Sequence, residues 1–208
     1  MQDKKTQSNQ LRTQATRAAL LGAARRLLIE KGYAATSTPE IAAAAGITRG
    51  ALYHHFADKQ DLYRTLLEDE ARAVADEIER AAPHDVPIRD ALIAGSLAYL
   101  KAMRVPGRTQ LLLIDGPAVL GAAEIFALDA RHAGRTLREG LRAAVGQGLA
   151  DDAPADALAA LLSAAFDRAA LEIAAGADAA AFEAAIVGLI DRTVAAPAGA
   201  WACSARTR

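Results

Sequence analysis

Residues 37–56 read STPEIAAAAGITRGALYHHF, and this stretch constrains the fold more than any other part of the chain. Ser37-Thr38-Pro39-Glu40 has the pattern of a capping box with proline in the first turn, in which serine and glutamate each satisfy a backbone N–H that a helix start leaves open. The helix that begins there runs through Ile41 and the alanines and stops at Gly46, whose missing Cβ suits the left-handed residue that closes a helix. Thr48 can cap the next helix. The spacing predicts two short helices joined by a turn of about three or four residues, the geometry that lets a second helix enter the major groove of DNA.

The alanines fit that geometry, because Ala42 and Ala45 would flank a tight helix crossing that larger side chains would force apart. In the second helix Leu52 and Phe56 fall four residues apart and can face a core, which leaves Arg49, Tyr53, His54 and His55 on the remaining circumference. Arg49 can donate in a fork to a guanine edge, the histidines to base acceptors or phosphate, and Tyr53 and Thr48 to phosphate oxygens. Asp58-Lys59-Gln60-Asp61 reads as another capped helix start, at which Lys59 can hold a backbone phosphate. The adjacent histidines are no metal pair, since helix neighbours point about 100° apart and helical ligand pairs sit three or four residues apart.

Composition supports an all-α chain. It is 52% hydrophobic but only 4% aromatic, rich in alanine and leucine, and poor in β-branched runs and alternating patterns. Its 208 residues can form one large domain or two small ones. The net charge of -1 conceals a polarity: residues 1–64 hold ten Lys/Arg against five Asp/Glu, and the remainder fourteen against twenty. A basic segment of about +5 on a back part of about -6 suits contact with a polyanion. No apolar stretch free of charge is long enough to span a membrane, and MQDKKTQSNQ has no apolar leader, so a cytoplasmic location is expected. The single cysteine, Cys203, cannot form an internal disulfide and fits a reducing compartment. His84 and His132 stand alone, and no metal or other cofactor is expected. Without a G-x-S-x-G, H-E-x-x-H, P-loop or dinucleotide motif, neither is catalysis.

TSTPEIAAAAGITRGALYHHFADKQDLY resembles the N-terminal signature of the TetR family of bacterial transcriptional regulators, over roughly residues 13–67. The shared features are the IA..AG second helix, the G(I/V)(S/T)(R/K)G.LY.HF recognition helix and the K..L opening of a fourth helix. Thr38, where the family usually has an apolar β-branched residue, and Pro39 depart from the pattern. The resemblance implies a homodimer on a roughly palindromic double-stranded DNA operator, with a C-terminal helical domain that senses a small molecule and carries the dimer interface. It also implies base or phosphate contacts for Thr48, Arg49, Tyr53 and His55, and a phosphate contact for Lys59.

The expected division is a helix-turn-helix domain over 1–58, a helical sensing and dimerisation domain over 59–197, and a mobile tail over 198–208 with Trp201. An amphipathic helix over 13–31, closed by Gly32, precedes the two short ones. Beyond them the pattern predicts helices over 59–81, 88–104, a short apolar one within 107–115 stopped by Gly116-Pro117, 119–147, 155–175 and 178–195. The last two have wide apolar stripes, which either thicken a monomer core or face a second subunit; with the resemblance, Leu158, Leu162, Phe166, Ala169, Ile173, Phe182, Ile186, Leu189 and Ile190 are expected at a four-helix dimer interface. A two-fold dimer would set two recognition helices about 34 to 36 Å apart, or somewhat more.

A ligand pocket is expected among the helices between 59 and 147, with Arg104, Asp115, Glu124, Arg131 and His132 as polar lining and Met103, Leu112, Phe126 and Leu128 as apolar wall. Each charged member has solvation or capping as its alternative, and for Asp115, beside Gly116-Pro117, turn chemistry is preferred. The function expected is a repressor released from its operator by a small molecule. The alternative is a DNA-binding protein of the same type governed by a protein partner, or acting architecturally.

Overall fold

A computed structural model describes residues 2–82, 85–147 and 155–194. Every regular element among them is helical: α1 (Gln2–Ala35), α2 (Thr38–Ala44), α3 (Arg49–His55), α4 (Lys59–Ala81), α5 (Ile88–Met103), a π-helical turn (Gln110–Asp115), α6 (Gly116–Leu120), α7 (Ala122–Arg131), α8 (Ala133–Gly146), α9 (Ala155–Ala174) and α10 (Ala179–Val194). Among the described residues no helix is long and apolar enough to cross a membrane. Pro83 and His84 of the expected connector, and the tail with Pro197, Trp201 and Cys203, lie outside the described residues.

Packing divides the chain into two compact units, one of Met1–Glu70 with Gln110–Ile125 and one of Ala71–Thr109 with Phe126–Arg208. This division by packing falls inside α4, whereas the expected boundary at residue 58 follows role.

In the first unit the α1 stripe of Leu20, Ala23, Ala24 and Leu28 is buried with Ile41, Leu52, Phe56, Leu62 and Leu67. Tyr63 is fully buried, and its hydroxyl donates to the Leu111 carbonyl at 2.9 Å, which brings the 110–125 segment into this unit. Pairs tie α1 to its neighbours: Arg25 to Glu70 of α4 at 2.7 Å, and Lys31 to Glu40 of α2 at 3.0 Å. Gly32 leaves helical geometry (φ 78°, ψ 169°), as its position at a helix end suggests, but helical turns resume to Ala35. The buried Thr36 hydroxyl spans that kink, within 2.8 Å of the Gly32 carbonyl and 3.2 Å of that of Leu27.

In the second unit α10 packs on α5 and α9, and α8 on α5 and α9. Leu92, Tyr99, Leu100, Leu141, Leu162, Phe166, Ile186 and Ile190 are buried there. Arg108 is buried against the end of α5, donating to the Ala102 carbonyl at 2.8 Å and to Glu77 at 3.0 Å, where a cation also complements the helix dipole.

Three expected helices differ. The one expected over 13–31 begins at Gln2 and runs to Ala35. Gly116-Pro117 does not stop the apolar run, because proline is tolerated in a first helical turn; the π-turn passes directly into α6, which ends at Gly121 (φ 87°). The long helix over 119–147 is instead three, broken again at His132 (φ -118°, ψ -106°).

Candidate nucleic-acid interface

The α2–turn–α3 motif is held by local chemistry. Ser37 and Glu40 form the reciprocal capping box: the Glu40 N–H donates to Ser37 Oγ at 3.4 Å and the Ser37 N–H to Glu40 Oε2 at 3.0 Å. Gly46 takes φ 68°, its N–H donates to the Ala43 carbonyl at 3.0 Å, and the Ile47 N–H donates to the Ala42 carbonyl at 2.9 Å. This is the Schellman closure, and it needs the left-handed residue that glycine supplies. Thr48 Oγ1 then accepts the Ala51 N–H at 3.2 Å, capping α3. Ala42 is buried at the crossing and Ala45 is half-buried.

Leu52 and Phe56 are buried beneath α3, which leaves the opposite side outward. Thr48, Arg49, Tyr53 and His54 are exposed there, and His55 is half-buried with its ring 6.4 Å from that of Phe56. The Arg49 guanidinium lies 5.6 Å from the Tyr53 ring centroid, hydrogen-bonds toward its phenol and has no carboxylate partner among the described residues, so its other donors remain for an outside acceptor.

Two side chains do more than their spacing suggests. Thr38, one of the two departures from the family pattern, is buried at the α2–α3 crossing with its hydroxyl 3.0 Å from that of Tyr53. That bond, and then Arg49, hold the Tyr53 phenol below its usual range. Lys59, at the start of α4, donates to the Tyr33 carbonyl and sits 4.0 Å from the Tyr33 ring centroid. Burial lowers its pKa, and part of its donor capacity is already used. The start of α4 is closed by Asp58, which accepts the Asp61 N–H at 2.8 Å.

The nine expected pocket residues are divided between the two units. Leu112, Asp115 and Glu124 belong to the first unit, where Asp115 accepts from the Gln110 amide at 2.7 Å and Glu124 pairs with Arg64. In the second unit Met103 and Leu128 are core, Arg104 and Arg131 are exposed, His132 is half-buried, and Phe126 is 70% exposed. None of the nine lines the cavity of about 540 Å³ that opens in the second unit among α4, α5, α8 and α9. Its wall includes Ile78, Leu92, Leu137 and Phe166 with Ser96 and Tyr99. The periodic pattern shows one apolar stripe per helix and not which stripes meet, so this site escapes a sequence reading.

Of the nine expected interface residues, Leu162, Phe166, Ala169, Ile186 and Ile190 are buried within the chain itself. Leu158, Ile173, Phe182 and Leu189 are half-buried. Leu161, on the same apolar stripe but not among those nine, is 70% exposed.

A capped helix-turn-helix with an outward, polar second helix, followed by a larger helical unit, defines the helix-turn-helix class of regulatory proteins. Residues 20–66 match the bacterial regulatory proteins of the tetR family, and residues 89–196 match the tetracycline repressor-like C-terminal domain. The chain belongs to the TetR family.

It is 42% identical over 117 residues to the HTH-type transcriptional repressor BepR of Brucella suis, covering 56% of this chain and 46% of that one. It is 27% identical over 167 residues to the HTH-type transcriptional repressor AcnR of Corynebacterium diphtheriae, covering 76% and 81%. The chain spans less than half the length of the first curated relatives it matches. Among solved structures, a TetR-family transcriptional regulator from Pectobacterium atrosepticum superposes with a TM-score of 0.69 at 30% identity, over 90% of this chain and 98% of that one.

Proposed function

We propose that this chain is a homodimeric transcriptional regulator of the repressor type, which grips a roughly palindromic DNA operator through α3 and lets go when a small molecule binds the helices of the second unit. The observation that carries the reading is the outward side of α3, where Arg49 stands exposed with no carboxylate partner among the described residues, beside Thr48, Tyr53 and His54. A guanidinium in that state donates two parallel hydrogen bonds to a guanine edge. Thr48, with its oxygen used as a cap acceptor, still has its proton for phosphate, and the remaining N–H groups of Lys59 face the same polyanion. Ligand release needs a coupling of only about 1 to 3 kcal/mol, which changes operator affinity roughly 5- to 150-fold.

Selection of bound sequences from a random duplex pool, followed by fluorescence titration of the selected duplex, tests the reading. Arg49→Ala is expected to weaken that duplex by about 1 to 3 kcal/mol and to relax the preference at one base pair of each half-site. Lys59→Ala is expected to weaken all duplexes alike and to lower the salt dependence. Selection that yields no enriched motif, or an Arg49→Ala protein with unchanged affinity, refutes the proposal.

A further inference from the structure

The cavity in the second unit has a consistent hydrogen-bonding polarity. Four hydroxyl-bearing residues line it, and each hydroxyl donates its proton within the protein. Ser96 donates to the Leu92 carbonyl at 2.7 Å and Thr136 to the Ala133 carbonyl at 2.8 Å. Ser163 donates to the Asp129 carboxylate at 2.8 Å, and Tyr99 donates to that of Asp167. Turning the last two protons toward the cavity would strip a donor from a largely buried carboxylate, which costs more than one ordinary hydrogen bond returns. The Ser163 and Tyr99 hydroxyls are therefore left with lone pairs to offer a ligand, as are those of Ser96 and Thr136 while they donate to their own helices.

Charge runs the same way. Arg135 is the one lysine or arginine among the described lining residues, and its guanidinium is shared between Glu79 and Glu139, both of which line the cavity too. The trio carries a net charge of -1. Behind the wall stand Asp129 and Asp167, and among the described residues Arg138 and His132 are the cations acting on Asp129. The remaining polar side chain able to donate, Gln147, is exposed at the edge. Tyr99 and Phe166, with rings 6.2 Å apart, add two aromatic walls, whose faces attract cations.

A carboxylate ligand would meet lone pairs and a net negative charge, with only the already paired Arg135 and the edge amide of Gln147 to offset its desolvation. An ammonium would find the reverse. We infer that this cavity receives an apolar amine, whose hydrocarbon body lies on Ile78, Leu92, Leu137 and Phe166 while its N–H groups donate to the hydroxyl oxygens of the wall and toward Glu79. This rests on the reading of the second unit as the sensor, and names the chemistry sensed.

Octylamine, octanol and octanoate share one body and differ in headgroup, so calorimetric titration of each into the full-length protein at neutral pH, below their aggregation concentrations, isolates the preference. Octylamine is expected to bind about tenfold more tightly than octanol, with octanoate weakest. Glu79→Gln, at an exposed edge position, is expected to shrink the amine preference several-fold and leave octanol unchanged, and Ser96→Ala to weaken both. Octanoate binding as tightly as octylamine, no octylamine binding, or octylamine binding unaffected by both substitutions each overturns the assignment. Operator affinity measured without any compound separates the two levels: intact DNA binding beside a failed amine series rejects the ligand class alone, and absent DNA binding rejects the regulator.

Discussion

At the scale of single residues, the polar side chains that work hardest are those holding another side chain in place. Thr38 keeps the β-branched shape its buried position requires and adds a hydroxyl that reaches Tyr53 across the helix crossing. Its effect is measurable because burial is the first cause raising the phenols of Tyr33, Tyr63 and Tyr99, whereas Tyr53 is lowered. Ultraviolet titration should therefore show one tyrosine ionising ahead of three, and Thr38→Val should move that first step to higher pH with stability changed by less than about 1 kcal/mol. A first step that stays where it was would show that the hydroxyls do not bond. In the second unit, burial raises the Asp167 carboxyl from 3.8 to about 6, with Asp129 adding repulsion and Tyr99 partly opposing. The folded chain thus binds this proton more tightly than the unfolded chain. The stability it contributes is fully present below about pH 4, falls as pH rises through about 6, and is absent above that. Asp167→Asn should remove this slope and raise stability above neutral pH by about 1 to 2 kcal/mol, read by urea denaturation at acidic and alkaline pH. An equal or larger gain under acidic conditions would reverse the sign and reject the account.

At the scale of elements, what a sequence reveals depends on how local the chemistry is. The boundaries of α2 and α3 are legible because Ser37, Glu40, Gly46 and Thr48 each act within five residues of their own position. The breaks within 119–147 are not equally visible. Gly121 is a helix stop in plain view, but Ala-Arg-His-Ala around His132 has helix-forming residues and no glycine or proline before Gly134. There the Asp129 carboxylate, oriented by Ser163 of α9, takes the Gly134 N–H, so a distant helix helps to decide a local break. The Arg49 side of α3 could be read from spacing, whereas the cavity could not, because Ser96, Thr136 and Ser163 meet only when three separate helices pack. Gly116 shows the same dependence. A Cβ there would lie 3.0 Å from both Ile125 Cδ1 and the Leu111 carbonyl oxygen, and the carbonyl belongs to a backbone with little room to give. Gly116→Ala should cost about 1 to 3 kcal/mol in chemical denaturation, although alanine is the better helix former. Unchanged or increased stability would mean that the segment shifts freely and helix propensity prevails.

At the scale of the whole molecule, the proposed function requires two copies, since one recognition helix reads only half of a palindrome. The apolar stripes of α9 and α10 are too wide for one core, and burial shows how they are divided. Leu162, Phe166, Ile186 and Ile190 serve the chain itself, while Leu161 stands 70% exposed on α9 and Phe182 and Leu189 are half-covered on α10. Exposed Ala157, Ala164 and Ala165 flank Leu161 at three- and four-residue spacing, small enough to let another helix approach closely. A large leucine left in water among alanines is the side chain a partner copy would cover, with a gain of about 1.5 to 3 kcal/mol when fully buried, counted once from each copy in a two-fold pair. Leu161→Glu should therefore place two buried carboxylates in the interface and yield monomers in sedimentation equilibrium. Each monomer would keep its α3 surface, so non-specific DNA affinity should persist while preference for the selected palindrome falls. Phe126, also 70% exposed but on α7, provides the control. If Phe126→Glu rather than Leu161→Glu separates the copies, the two-fold axis passes by α7, and the α9–α10 side must be explained by something other than a second copy of this chain.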